Sequence, residues 1–206
     1  PIHLWTGASQ GAYLHHKDIP GVLPHSFTAP PEICLTAGGF TGRRMEEGLA
    51  LLPRLCGLLV LVSDKGTGRV SAKADGRASI SYDLLPEDFE RIKKGMIISA
   101  EVLLAGGAKS ILAPVHGAGE HTDVASFAEA LQSRVVADFV LYASHPMSSC
   151  RMGLDPATSV IGPTGESHHV PGLFLADSSV FPTSIGVNPQ LTTMAMGTVI
   201  GRQMIG

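Results

Sequence analysis

Residues 57–84 read GLLVLVSDKGTGRVSAKADGRASISYDL, and residues 85–108 continue LPEDFERIKKGMIISAEVLLAGGA. In the first segment the turn sequences DKGTG and ADG separate apolar or alternating runs, a pattern that predicts a three-stranded antiparallel meander. In the second segment an acidic first turn and apolar residues at helical spacing precede two glycines, which predicts a helix that ends there. Antiparallel strands followed by helices favour an α+β fold over a regular βαβ series.

The composition excludes several classes of protein. The 206 residues include 15 basic and 18 acidic ones and no basic block, so we expect no nucleic-acid partner. The three cysteines fit a reducing compartment better than a disulfide framework. The most apolar run, residues 49–63, is interrupted by Pro53 and Arg54 and is shorter than a span of roughly 20 residues, so we expect a buried strand and no transmembrane segment. The first residue is Pro1, which indicates part of a longer polypeptide.

Further elements follow from turn and cap residues. The proline-rich residues 1–57 predict loops, short strands and one helix near 43–52, and a short strand is expected at 109–115. A helix is predicted from Thr122 or Asp123 to about residue 134. Another is expected after Asn188, a preferred N-cap residue, with Pro189 at the first helical position. The N-terminus of such a helix favours an electron-rich ligand, although a plain capped helix packed into a core is the common case.

Other candidate sites are weak. Residues 116–130, HGAGEHTDVASFAEA, lack the third glycine and the second parallel strand of a dinucleotide-binding unit. Histidines are adjacent at 15–16 and 168–169, where the two rings rarely face one ion together, so no metal site is predicted. A thiol nucleophile at Cys150 with His145 lacks an identifiable orienting acid, which favours an ordinary buried cysteine.

Three motifs near the C-terminus occur in a characteristic order: HPMSSCRMGLDP at 145–156, GLFLADSSVFPTS at 172–184 and GVNPQLTTMA at 186–195. Together they resemble the C-terminal signature of the glucose-methanol-choline (GMC) oxidoreductases, the FAD-dependent alcohol oxidases and dehydrogenases. The amino-acid sequences of the first and third motifs most resemble those of the long-chain alcohol oxidase branch. The resemblance is strong over residues 144–206 and loose over 1–143.

The resemblance implies a division of the chain into two parts. Residues 1–143 would form a portion of an antiparallel-sheet substrate-binding (cap) domain with helices, and 144–206 would add the returning C-terminal strand and helix of the FAD-binding domain. The apolar run at 172–176 is expected to be a buried parallel strand whose partners come largely from a segment outside this chain. The glycine-rich FAD-binding unit of the family is N-terminal and no complete fingerprint occurs here, so the implied partner is an N-terminal FAD-binding segment in the same or a separate chain.

The resemblance also implies roles for single residues. His145 takes the position of the active-site base that accepts the hydroxyl proton of a small-molecule alcohol while hydride leaves for flavin N5, and histidine suits that transfer because it ordinarily titrates near neutrality. Asn188 takes the second active-site position, where it also lies beside the flavin. The remaining cofactor-binding residues implied are Asp177 and Ser178, at the ribityl and phosphate region of FAD, and Pro189 and Gln190, beside the ring.

Alternatives remain open within and outside this class. A related enzyme could pass electrons to a quinone or dye instead of oxygen. A non-catalytic binding module or a lyase could use the same scaffold, because fold alone does not define function.

Overall fold

A computed structural model describes residues 11–205 of the protein. Helices and small antiparallel sheets alternate along the chain, which confirms the α+β class. The elements are β1 (Val22–Phe27), α1 (Pro31–Ala37), α2 (Arg44–Leu51), β2 (Gly57–Val62), β3 (Gly68–Ala72), β4 (Ala78–Tyr82), α3 (Pro86–Ala105), β5 (Ile111–Leu112), β6 (Glu120–His121), α4 (Val124–Gln132) and α5 (Gln190–Met204), with short 3-10 helices at Leu52–Arg54, Val136–Asp138 and Ser178–Val180.

The chain divides into two compact units. One contains the described residues up to Val62 together with Phe89–Tyr142, and the other contains Ser63–Asp88 together with the residues from Ala143 onward. The first unit has a core around Leu35, Phe40 and Leu52. The assignment of 1–143 and 144–206 to a substrate domain and an FAD domain stays a prediction; the second unit joins the β3–β4 hairpin to the C-terminal motifs.

The predicted meander is wrong in its pairing, although strands form in all three expected places. β2 pairs antiparallel with β1, with Val22 opposite Val62, while β3 pairs only with β4, with Gly68 opposite Tyr82. β1 was difficult to recognise in the sequence because it contains Pro24, and proline is depleted in strands. In the structure Pro24 lies opposite Val60, in a strand that buries its first four residues.

The segment DKGTG does not form a hairpin turn because a carboxylate holds its backbone. Asp88, in the first turn of α3, is fully buried, and its Oδ2 accepts hydrogen bonds from the amides of Lys65 at 2.8 Å and Gly66 at 3.2 Å. The hydroxyl of Tyr82 donates to Asp64 at 2.5 Å. Burial, followed by this bond to a carboxylate, raises the pKa of Tyr82 well above its ordinary value. These side chains therefore fix the conformation of residues 64–66, which precede β3.

Local signals placed most helices correctly. The helices expected at 43–52, at 85–105 and after Asp123 are confirmed as α2, α3 and α4. Asp123 caps α4 by accepting from the amide of Ser126 at 2.8 Å, and this bond lowers the pKa of Asp123. α1 was not predicted, although Pro31 at its first position is a recognised start signal. Within residues 11–205 no helix has the length and apolar character needed to cross a bilayer.

The run 172–176, predicted to be a strand, is not a regular strand within this chain. Phe174 makes a single antiparallel bridge with Glu166, and the amide of Leu175 donates to the carbonyl of Gly165 at 3.0 Å. Leu173 is exposed, so this apolar run is not covered on both faces. Each of the sheets in the described part of the chain is an antiparallel pair. A buried parallel strand needs parallel neighbours, which were expected from a separate N-terminal segment, so the burial and pairing of this run stay a prediction. Of the C-terminal strand and helix expected to complete the FAD-binding domain, only the helix, α5, forms a regular element in this chain.

Gly95 allows α3 to pack closely on the β1–β2 sheet. A Cβ atom at this position would lie 2.5 Å from Cγ1 of Val60 and 2.7 Å from Cγ1 of Val22. Helix propensity alone would make Gly95→Ala stabilising by about 1 kcal/mol. The overlap with these two strand side chains outweighs that gain, so we expect a net loss of about 1–3 kcal/mol in the free energy of unfolding.

Gly201→Ala is the matched control, because Gly201 also lies in a helix but a Cβ there would meet nothing within 4 Å. Urea titration should show this variant unchanged or more stable by up to about 1 kcal/mol. Equal stabilisation by both substitutions would contradict the close packing of α3.

Candidate active site

The segments that carry the predicted site residues meet in one apolar cluster. Its centre is buried and consists of Ile161, Val180 and Phe181. Side chains from the loop after His145, from the stretch around Asp177 and from the segment around Asn188 pack against this centre: Met147, Met152, Leu175, Ile185 and Met196. Hydrophobic burial, which needs no specific spacing in sequence, thus brings the three motifs together.

His145 begins a loop that is attached to the segment 178–180 by backbone hydrogen bonds. The amide of Cys150 donates to the carbonyl of Ser179 at 3.0 Å, and that of Met152 donates to Val180 at 2.9 Å. His145 itself is half-buried, with its Nδ1 atom shielded from solvent. The loop therefore presents a partly enclosed imidazole on a backbone whose far end is fixed.

Asp177 and Ser178 lie where the apolar run 172–176 ends. Asp177 caps the 3-10 helix Ser178–Val180, since its Oδ1 accepts from the amide of Ser179 at 2.7 Å. The hydroxyl of Ser178 donates to the carbonyl of Pro146 at 3.0 Å. Both side chains thus have structural partners, and their predicted contacts with FAD stay predictions.

Asn188 does not cap α5, so that prediction is wrong. The helix starts at Gln190, Pro189 is the N-cap residue, and no side chain makes a cap hydrogen bond. The carbonyl of Pro189 accepts from the amide of Thr193 at 2.8 Å, which places the start one residue later than the sequence indicated. Proline takes the N-cap position because that residue needs no amide hydrogen of its own.

The side-chain amide of Asn188 is the most informative group in the site. Its Oδ1 and Nδ2 are both buried, and neither has a hydrogen-bond partner among the described residues. An unpaired buried polar group costs roughly 1–3 kcal/mol, so such groups call for a specific explanation. Together with the uncapped N-terminus of α5, which offers unpaired backbone N–H groups, Asn188 fits an electron-rich ligand such as an alcohol oxygen or the pyrimidine end of a flavin. Of the adjoining predicted residues, Pro189 is buried and Gln190 is exposed.

A hydrogen-bonded cluster around His168, adjoining the first motif, was not predicted from the sequence. Nε2 of His168 lies 2.9 Å from Oγ of Ser159 and 3.1 Å from the carbonyl oxygen of Gly153. The Ser159 hydroxyl donates to the carbonyl of Asp155 at 2.6 Å. These bonds hold the turn that follows the His145 loop. His168 lies 9 and 15 residues from its two partners, a separation that no local pattern spans. Among residues 11–205 no three side chains form a set of metal ligands.

The comparison with known proteins agrees with these motifs. The family model described as GMC oxidoreductase matches residues 64–197, which is more than half of the chain. The chain belongs to the GMC oxidoreductase family.

Relatives and a solved structure extend over most of the chain. A long-chain-alcohol oxidase of Arabidopsis thaliana is 35% identical over 162 residues, covering 74% of this chain and 22% of its own length. An uncharacterized GMC-type oxidoreductase of Mycobacterium tuberculosis is 26% identical over 205 residues, covering 99% of this chain and 32% of its own. The crystal structure of pyridoxine 4-oxidase from Mesorbium loti superposes with a TM-score of 0.53 at 18% identity, over 88% of this chain and 34% of that one. The chain thus spans between about a fifth and a third of these proteins, and the last likeness concerns the fold alone.

Proposed function

We propose that this chain forms the substrate side and part of the active site of an FAD-dependent alcohol oxidoreductase. The observation that carries the proposal is the buried, unpartnered amide of Asn188, adjacent to an uncapped helix N-terminus in a chain of this family. A plain structural asparagine at this position would use its side chain as a cap or bury it with partners.

Two residues of the chain act on the alcohol oxygen, and four others are proposed to contact the cofactor. Bound FAD would supply the acceptor for the hydride that leaves the alcohol carbon. His145 accepts the hydroxyl proton, so that the C–H and O–H bonds break while the carbon–oxygen bond becomes double. Asn188 donates an N–H bond to the alkoxide-like oxygen and stays uncharged, and the N-terminus of α5 favours the negative charge that develops nearby. Asp177, Ser178, Pro189 and Gln190 are the remaining residues proposed to contact the cofactor.

An alcohol of long chain is the proposed substrate class, because several relatives are long-chain-alcohol oxidases. We also propose that a separate segment supplies the glycine-rich FAD-binding unit, in the same polypeptide or in a partner chain. The support for this is that the sequence contains no complete fingerprint and spans only a fraction of its relatives' length.

Anaerobic reduction of the holoenzyme tests the function. The holoenzyme is the chain joined to, or co-expressed with, an FAD-binding segment. Adding a long-chain primary alcohol is expected to bleach the oxidised flavin and release the aldehyde, because the alcohol carbon loses a hydride to the flavin. An alkane of equal length should leave the absorbance unchanged.

Two outcomes would replace this proposal. Flavin binding without bleaching by any alcohol would favour a binding module, and alcohol breakdown without flavin reduction would favour a lyase. Where bleaching occurs, readmitting oxygen separates an oxidase, whose flavin recovers at once, from a dehydrogenase that needs a quinone or dye.

A further inference from the structure

The His145 loop is fixed at its far end by backbone bonds, but close to His145 it is fixed by a side chain. The amides of Cys150 and Met152 donate to carbonyls of the 178–180 helix. Next to His145 the chain has Pro146, which has no N–H to offer such a bond. Its carbonyl instead accepts a hydrogen bond from Oγ of Ser178 at 3.0 Å. The Ser178 hydroxyl is therefore the near anchor of the loop.

Between these anchors the loop adopts an unfavourable conformation. Ser148 has φ +66°, and it is the only non-glycine residue of the described chain in the left-handed region. A residue with a Cβ atom avoids this conformation unless its surroundings enforce it. Because Ser148 lies between the two anchors, loss of the near one allows it to relax toward an ordinary backbone conformation. That relaxation would shift Pro146 and, through the peptide bond, its neighbour His145.

We propose that the Ser178 hydroxyl is a positioning group for His145, a role that rests on the proposed function of His145 as the base. A serine hydroxyl has one hydrogen to donate, and in this structure the Pro146 carbonyl receives it. Ser178 thus acts through the loop, in addition to any contact of its free lone pairs with the cofactor.

Three variants of the holoenzyme test this role. Ser178→Ala removes the hydroxyl, Ser178→Thr keeps a hydroxyl at the same atom, and Ser179→Ala is the control. The control keeps both backbone groups of Ser179, which bond Asp177 and Cys150, and its hydroxyl makes no hydrogen bond in the described structure. We expect Ser178→Ala to lower kcat about 10- to 100-fold with little change in KM, because small misplacement of a reacting group has effects of that size. The threonine variant should recover most of kcat, and the control should keep all of it.

A second readout does not depend on activity. In holoenzyme with isotope-labelled histidine, the NMR signal of the His145 ring, assigned by its loss in His145→Ala, should shift in Ser178→Ala and stay in place in Ser179→Ala. An unmoved signal would overturn the inference, even if Ser178→Ala weakened flavin binding. If wild-type holoenzyme oxidised no alcohol, the proposed function would fail, while the ring signal would still decide whether Ser178 positions His145.

Discussion

His145→Ala is expected to lower kcat of the holoenzyme by ~10² to 10⁴, because a positioned proton acceptor usually contributes that much. The substitution should also remove from kcat/KM the dependence on a group that titrates near neutrality, since alanine has no proton to exchange. Steady-state oxidation of an alcohol across the pH range, supported by rapid-mixing measurement of flavin reduction, provides both quantities.

His169→Ala is the control for this substitution. His169 is exposed and its side chain makes no hydrogen bond in the described structure, so its removal should change neither the rate nor the pH profile. If His145→Ala kept the same ionisation in its profile, a different residue would be the base, whatever the loss in rate.

Asn188→Ala is expected to lower kcat by about 10²-fold or more, the usual effect of removing one donor to a developing oxyanion. Its pH profile should keep the wild-type shape, because the amide does not titrate. Without FAD, the free energy of unfolding should stay the same or rise, since the substitution removes buried polar atoms that have no partner and no cap bond. An activity loss without a stability loss distinguishes a functional residue from a structural one.

Two further variants complete the comparison. Asn188→His should retain part of the activity, because histidine also places an N–H donor there. Gln190→Ala, which changes an exposed neighbour at the first position of α5, should leave the unfolding curve unaltered. If Asn188→Ala abolished the ionisation and His145→Ala left it intact, the assignment of roles to these two residues would be wrong.

The helices of this protein follow from residues close together in sequence. α3 has acidic residues in its first turn and is followed by glycines, so each of its ends is marked by residues at that end. α4 begins with a hydrogen bond from Ser126 to Asp123, three residues apart. The α+β class follows in the same way from turn residues and periodicity. Strand pairing does not follow from local signals, because β1 and β2 pair residues that are 30 to 40 positions apart in the chain.

Three short motifs in a fixed order are enough to identify the family from the amino-acid sequence, and they carry the expectation that His145 and Asn188 matter. It also placed a helix after Asn188, but one residue too early and with the wrong cap. Two features become visible only in the folded chain: the Asn188 amide is buried without a partner among residues 11–205, and the Ser178 hydroxyl donates to the carbonyl of Pro146. Distance along the chain explains this difference. Caps and turns depend on groups within about one helical turn, whereas the Ser178–Pro146 bond joins groups 32 residues apart, which the apolar cluster brings together.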